Sequence, residues 1–332
     1  MIIALKKNIE QKKAEQLATQ NQYILVKSPQ GLLLVTSSKV KSPPDDLLNS
    51  VDSYFTTDSD IQLANRAYLQ STREVQIGEA TIGGESVSTL MIAGPCAIES
   101  KEQIELVAKF LNRLKIKILR AGCYKPRTSP YSFQGLGKKG LELLAEIRQQ
   151  YGLSIITEVK DSSHVHDVIE YSDVVQVGAK AMYDQSILRA CGKARKPVLI
   201  KRGFGTTLQE FVQASEFVLS GGNDQVMLCE RGIRTFETKS RFTLDLCAVS
   251  YLKAHTNLPI IIDPSHAMGH RYGIPDLSRA CLAMGVEGLL IETHPTPETA
   301  LSDPLQQLNF EEFQQMFESM KPVAKAIGRN LV

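Results

Sequence analysis

Residues 154–201 read SIITEVKDSSHVHDVIEYSDVVQVGAKAMYDQSILRACGKARKPVLIK. Within them the runs Ser154–Glu158, Val174–Val177 and Val198–Lys201 alternate with longer segments of mixed polarity. The runs are nearly bare of alternating polar residues, as expected of strands covered on both faces in a parallel sheet flanked by helices. The same rhythm extends outward, upstream to Leu90–Ala93 and Ile116–Leu119 and downstream to Val226–Cys229, Pro259–Asp263 and Gly288–Glu292, which makes eight runs in all. Amphipathic segments lie between them. One is capped by Ser100 with Gln103 three residues on and carries Ile104, Val107, Ala108 and Leu111 on one face; the last carries the stripe Phe310, Phe313, Phe317 and Met320. Eight β/α units from near residue 75 to the end fit the roughly 250 residues typical of a (β/α)8, or TIM, barrel. An open doubly wound sheet uses the same units and is the structural rival; the barrel is the expectation.

The first 70 or so residues differ. A short apolar run (Ile2–Leu5) precedes a polar helical stretch (Ile9 to Thr19), and two strand-like runs follow, Tyr23–Val26 and Leu32–Thr36, joined by a turn at Pro29-Gln30-Gly31. Pro43-Pro44-Asp45 opens a helix through Leu47, Leu48 and Val51, and Ile61–Leu69 offers a last strand. The order β-α-β-β-α-β is that of a small ferredoxin-like α+β domain. The expected division is 1–72 for that domain and 73–332 for the barrel, entered through a hairpin formed by Val75–Ile77 and Ala80–Ile82.

The chain has 332 residues, 43% hydrophobic and 22% charged, with formal charge +2, so no overall field points to nucleic acid or an anionic membrane. No apolar run approaches the roughly 18 residues of a membrane span, and Lys6-Lys7 cuts short any signal-peptide core. Six cysteines are scattered without a Cys-x-x-Cys, which suits a reduced, cytoplasmic protein.

A barrel builds its active site at the C-terminal ends of its strands. Read in order, those ends bring Arg120, Lys125, Arg127, Lys180, Lys201, Arg202, Arg231 and Arg234 toward one mouth of a nearly neutral protein. Such density suits substrates bearing phosphates and a carboxylate. Any single member has even odds of serving instead in an ion-pair network with Glu158 or Glu230; eight together do not. Cys96, His266, Glu292 and Asp303 add a thiol, an imidazole and two carboxylates from strands one, seven and eight. That set suits a borderline divalent metal. Alone, Cys96 reads as a buried small hydrophobe and His266 as a hydrogen-bonded loop residue, so spacing does not by itself carry the metal site.

Five motifs taken together are recognisable: Ala93-Gly94-Pro95-Cys96, the run Lys125-Pro126-Arg127-Thr128-Ser129-Pro130 through Gly137, Ile200-Lys201-Arg202-Gly203, Cys229-Glu230-Arg231-Gly232 and Asp263-Pro264-Ser265-His266. They resemble the 3-deoxy-D-arabino-heptulosonate 7-phosphate (DAHP) synthases over about residues 75–330, and most closely the short microbial branch with a ferredoxin-like regulatory domain. The resemblance implies a metal on Cys96, His266, Glu292 and Asp303, Mn²⁺ first, with Fe²⁺, Co²⁺, Zn²⁺ or Cd²⁺ as alternatives. It implies phosphoenolpyruvate on Arg120, Lys125, Lys180, Lys201 and Arg231. Erythrose 4-phosphate would lie on Arg127, Thr128 and Ser129, with Pro126 shaping the loop. Lys125, His266 and Cys96 become the catalytic residues, Lys125 either as proton donor to the new hydroxyl or as a fixed charge. An aromatic amino acid effector at the small domain and a homotetramer are implied as well.

Two positions depart from the family. Lys180 stands where it has arginine, which predicts a weaker grip on phosphoenolpyruvate, and Cys123 stands where it usually has alanine, a tolerated small residue. The sister family, the 3-deoxy-D-manno-octulosonate 8-phosphate synthases, shares the barrel but not the Lys125–Pro130 run. A relative that has lost turnover has only Lys180 in its favour.

Overall fold

The computed structural model describes residues 1–125 and 129–332. Eight strands form the barrel, preceded by six in the N-terminal part. These are β1 (Ile2–Leu5), β2 (Ile24–Ser28), β3 (Gly31–Val35), β4 (Val51–Phe55) and a hairpin of β5 (Val75–Ile77) and β6 (Ala80–Ile82). The barrel strands are β7 (Ser88–Gly94), β8 (Ile118–Arg120), β9 (Ser154–Val159), β10 (Val174–Val177), β11 (Val198–Lys201), β12 (Val226–Glu230), β13 (Ile260–Ile262) and β14 (Gly288–Glu292). Each is parallel to its neighbours, and β14 pairs with β7 from Gly288↔Leu90 to Glu292↔Gly94, which closes the ring. The helices are α1 (Gln11–Asn21), α2 (Lys101–Arg113), α3 (Lys138–Tyr151), α4 (Val165–Tyr171), α5 (Gln185–Lys193), α6 (Leu208–Leu219), α7 (Leu246–His255), α8 (Pro264–Met268), α9 (Ile274–Ala283) and α10 (Phe310–Ala326). All but α1 surround the barrel.

The uninterrupted apolar runs are explained by burial on both faces. Side chains alternate across a strand, and the inward set (Leu90, Ile92, Ile118, Ile156, Val174, Leu199, Met227, Ile261 and Leu290) fills the barrel interior. Val75, Ile77 and Ile82 of the hairpin join this cluster and plug the N-terminal end. The outward set, among them Met91, Leu119, Ile155, Val175, Ile200, Leu228, Ile262 and Ile291, packs beneath the helices. Ser100 caps α2, accepting from the Gln103 backbone at 3.1 Å, and Phe313, Phe317 and Met320 of α10 are buried as the stripe requires.

The same alternation places the chemistry. Continuing the inward series by two residues from Ile118, Ile156, Leu199, Cys229, Ile261 and Leu290 reaches Arg120, Glu158, Lys201, Arg231, Asp263 and Glu292 at the C-terminal mouth. Arg202 and Glu230 have the opposite parity and leave the barrel interior.

In the N-terminal part the sheet order is β2-β3-β1-β4, antiparallel throughout, the order a split β-α-β-β-α-β arrangement demands. Two sequence expectations fail there. The second helix shrinks to a 3-10 turn, Asp45–Ser50, and the last strand is Val51–Phe55 instead of Ile61–Leu69. Leu47 is the only fully buried apolar side chain of that turn, so it offers one anchor where a longer helix needs a stripe. Residues 61–69 form a strap stitched onto the barrel. Glu216 of α6 accepts from the backbone N–H of Gln62 (2.7 Å), Leu63 (3.2 Å) and Ala64 (2.8 Å), and Asn257 donates to the carbonyls of Leu63 (2.9 Å) and Asn65 (3.1 Å). The small sheet itself has two covered faces. Ile3, Leu5 and Leu34 pack with Ala14 and Leu17 of α1, whereas Ile2, Val26, Leu33 and Val35 belong to the apolar cluster shared with the barrel. No helix among the described residues is long and apolar enough to cross a membrane.

Candidate active site

Strand β7 ends at Gly94, whose φ of 149° and position against the Arg120 carbonyl leave no room for a Cβ, which would lie 2.1 Å from that oxygen. The chain can therefore turn there and present Cys96 to the mouth. The Cys96 thiol is fully buried and lies 2.9 Å from Ser302 Oγ, 3.3 Å from Asp303 Oδ2 and 3.1 Å from Lys125 Nζ. Cys96 Sγ, Glu292 and Asp303 offer ligand atoms that all lie within 4.8 Å of one another. Asp303 sits at φ 48°, a left-handed conformation that non-glycine residues seldom adopt and that marks functional loops. Its loop is braced by the Leu301 N–H on Glu99 (2.8 Å) and by Gln307, which accepts from the Cys96 N–H (2.8 Å) and donates to the Ser302 carbonyl (2.8 Å).

His266 stands beside this trio. Its Nδ1 lies 2.7 Å from Asp263 and its Nε2 3.5 Å from Glu292. Asp263 caps the short α8 by accepting from the His266 N–H at 2.9 Å, which fixes the turn that carries the imidazole. Burial pushes the Cys96 thiol up to about 12, reinforced by Glu292 and Asp303 and opposed by Lys125. Burial also opposes ionisation of Glu292, but His266 and Arg120 outweigh it and hold the carboxyl low. For Asp303, burial is outweighed by Arg241, His266 and Lys125. A dry cluster of a thiol and two ionised carboxylates with an imidazole alongside is the donor set of a borderline divalent cation, whose charge would favour the thiolate that burial now disfavours. The residues present fit such an ion.

Above the cluster opens a cavity of about 360 Å³, lined by six cations, Lys125, Lys180, Lys201, Arg231, Arg234 and Arg241, and by the acids Glu158 and Asp303. His266, Phe204 and Phe242 complete most of its wall. Lys125 is enclosed; burial works against its charge, but Cys96, Glu158 and Glu292 prevail and raise its pKa. Lys201 is held by Asp263 at 2.5 Å, and burial of Asp263 is outweighed by His266 and Lys201, which hold its carboxyl well below the usual range. Arg231 is buried, with Nη1 lacking a hydrogen-bond partner among the described residues. Arg120 lies at the floor, bonded to the Pro95 carbonyl (2.7 Å) and to Glu292 (2.8 Å).

Two expectations need restating. Arg202 is not a mouth residue: it pairs outside the barrel interior with buried Glu230 at 2.8 Å and with Asp245 at 3.1 Å, as its parity requires. Ser129 lies in a turn closed by Tyr131 and Gln134 and is not among the named residues of the cavity wall, while Pro126, Arg127 and Thr128 lie outside the described residues. Sequence reading missed Asp263, Ser302, Gln306 and Arg241 as site residues. Gln306 donates to Glu292 at 2.5 Å and accepts from Arg241 at 2.7 Å, joining the cation wall to the carboxylate. Strand parity was the available signal for Asp263; the other three come from loops, where no periodicity applies.

A closed (β/α)8 barrel with a thiol–carboxylate cluster beneath a cationic cavity defines a barrel enzyme for small, multiply anionic substrates. Residues 67–328 match the DAHP synthetase I family, and the chain belongs to that family. It is 43% identical over 281 residues to phospho-2-dehydro-3-deoxyheptonate aldolase of Thermotoga maritima, spanning 85% of this chain and 82% of the relative. A 2-dehydro-3-deoxyphosphooctonate aldolase of Syntrophotalea carbinolica is 29% identical over 274 residues, 77% of this chain and 98% of that protein. A crystal structure of the Thermotoga maritima DAHP synthase superposes with a TM-score of 0.81 at 37% identity, covering 100% of this chain and 99% of that one.

Proposed function

We propose that this enzyme is a DAHP synthase that joins phosphoenolpyruvate to D-erythrose 4-phosphate and releases inorganic phosphate, the first step of the shikimate pathway. The supporting observation is one cavity lined by Lys125, Lys180, Lys201 and Arg231 together with Asp303, whose ligand atom lies within 4.8 Å of those of Cys96 and Glu292. C3 of phosphoenolpyruvate adds to the aldehyde carbon of the sugar, water adds at C2, and the C2–O bond to phosphate breaks. Lys180, Lys201 and Arg231 hold the carboxylate and phosphate of phosphoenolpyruvate, and bring two polyanions together by cancelling their repulsion. Arg120 fixes Glu292 and completes the floor. Lys125, kept charged, stands at Cys96 to give a proton to the new hydroxyl or to stabilise it as a fixed charge. Cys96, His266, Glu292 and Asp303 would hold a divalent cation, and the chemistry it would supply there is Lewis-acid polarisation of the aldehyde oxygen. Arg127, Thr128 and Ser129 take the sugar phosphate, with Pro126 shaping their loop.

In the same reading residues 1–72 form the regulatory domain, which takes an aromatic amino acid in a homotetramer. Tyrosine or phenylalanine should inhibit the full chain, and a chain starting near Thr72 should turn over without that inhibition; indifference of the full chain to both amino acids removes the regulatory role. For the catalytic reading, mass spectrometry of a reaction with phosphoenolpyruvate and erythrose 4-phosphate should find a seven-carbon 2-keto acid phosphate. Unchanged substrates in the presence of Mn²⁺ would remove it.

A further inference from the structure

The basic residues buried at the C-terminal ends of the barrel strands are held in two different ways. Arg120 and Arg202 each donate to a buried carboxylate, Glu292 and Glu230, at 2.8 Å, and Lys201 to Asp263 at 2.5 Å. Arg231 makes no ion pair among the described residues. It lies instead against two aromatic rings, its guanidinium carbon 4.2 Å from the centre of Phe242 and 5.8 Å from that of Phe204. The rings stack on each other at 5.3 Å and 21°. The same pair serves two neighbours, with Arg234 at 5.3 Å from Phe204 and Arg241 at 5.9 Å from Phe242.

We infer that Phe204 and Phe242 form a clamp that positions Arg231 for an oxyanion of phosphoenolpyruvate, which rests on the reading of Arg231 as a phosphoenolpyruvate contact. A carboxylate partner would orient the guanidinium but would also cancel its charge and occupy its donors. The negative faces of two rings orient it and leave both intact. Nη1 of Arg231 is accordingly buried without a hydrogen-bond partner among the described residues, and Arg231 lines the same cavity as both rings. The rings also sit among three guanidinium groups and offset their mutual repulsion before any anion arrives.

The backbone holds the clamp in register. Arg234 N–H donates to the Phe204 carbonyl at 2.7 Å, Phe242 N–H donates to the Ala267 carbonyl at 2.8 Å, and Ile233 and Thr243 exchange hydrogen bonds at 2.9 Å. Gly232, at φ 91°, passes beneath Phe242 so closely that a Cβ would lie 2.7 Å from that side chain. The loops after β11 and β12 and helix α8, which carries His266, are thus tied together through the two phenylalanines.

The test is steady-state kinetics on Phe242→Leu and Phe204→Leu, which keep apolar bulk and remove the ring, with Phe242→Tyr as the conservative control. Both rings are only half-buried, so thermal midpoints should stay near that of the parent. Phe242→Leu should raise the KM for phosphoenolpyruvate and the inhibition constant of inorganic phosphate about tenfold, the size of a desolvated cation–π contact. The KM for the sugar and kcat should move less than about twofold, and Phe242→Tyr should behave as the parent. An unchanged phosphoenolpyruvate KM, or parallel changes in both KM values and kcat, overturns the clamp. Arg231→Lys separates the two readings. If it leaves the phosphoenolpyruvate KM alone, the contact itself is wrong; if it raises that KM while Phe242→Leu does not, only the clamp is wrong.

Discussion

Glu216→Gln is the perturbation whose size can be worked most fully from the structure. The carboxylate accepts from three successive strap N–H groups, with Gln62 and Ala64 on Oε1 and Leu63 on Oε2. Burial pushes its carboxyl up from 4.5 to about 7, against the pull of those N–H groups and of Arg73. A folded-state pKa above the unfolded one means that the folded protein keeps a proton the unfolded chain releases. The contribution is therefore fully present below about pH 4.5 and is lost as pH rises through about 7. That interval is worth at most about 3.5 kcal/mol, at about 1.4 kcal/mol per pH unit. Glutamine keeps the acceptor for Gln62 and Ala64 but turns an N–H2 toward the Leu63 N–H, losing one hydrogen bond at a cost of about 1 kcal/mol. The variant should accordingly be close to the parent in stability near pH 5, where about 0.8 kcal/mol of the contribution has already gone, and about 2 kcal/mol more stable near pH 8, so that the two curves diverge as pH rises. Urea unfolding of both proteins at pH 5, 6, 7 and 8 reads this directly, because all other titrations cancel in the difference. Parallel curves would refute a buried, proton-retaining Glu216.

Three further outcomes follow from the site. Cys96→Ala should abolish turnover and, in protein loaded with Co²⁺, remove the thiolate-to-metal absorption band; full activity in metal-free buffer would sink the cluster as a cation site. Arg202→Ala should destabilise the fold by about 3–5 kcal/mol, because it strands the buried Glu230 carboxylate, while the surviving folded enzyme keeps its phosphoenolpyruvate KM. Lys180→Arg should lower that KM roughly tenfold, since a guanidinium grips an oxyanion through two hydrogen bonds where an ammonium offers a point charge; a raised KM would mean that Ala181, Met182 and Tyr183 have reshaped the wall around lysine.

The barrel was legible because its strands are buried on both faces, so each announces itself as an apolar run regardless of its partner. The small domain was harder. Ile61–Leu69 has the apolar content of a strand, yet its backbone hydrogen bonds go to Glu216, Asn257 and His255 of the barrel, long-range partners that no local pattern reveals. Cys96, Glu292 and Asp303 bring their ligand atoms within 4.8 Å of one another, and His266 lies against Glu292 and Asp263. Arg202 was misplaced because it was grouped by proximity to a strand end. Counting parity from Leu199 and Lys201 turns it outward. Phe204, Arg241 and Phe242 lie in loops, where neither parity nor helical period assigns a direction, and only the folded positions of two loops, those after β11 and β12, bring them to Arg231.

Phosphate release from phosphoenolpyruvate, measured side by side with erythrose 4-phosphate and with arabinose 5-phosphate, bears on the central claim most directly, because relatives acting on either type of product share this barrel. The expected result is one phosphate released per erythrose 4-phosphate consumed, abolished by a chelator and restored by Mn²⁺, with arabinose 5-phosphate supporting little turnover. Preference for arabinose 5-phosphate, or release that a chelator leaves untouched, would contradict it.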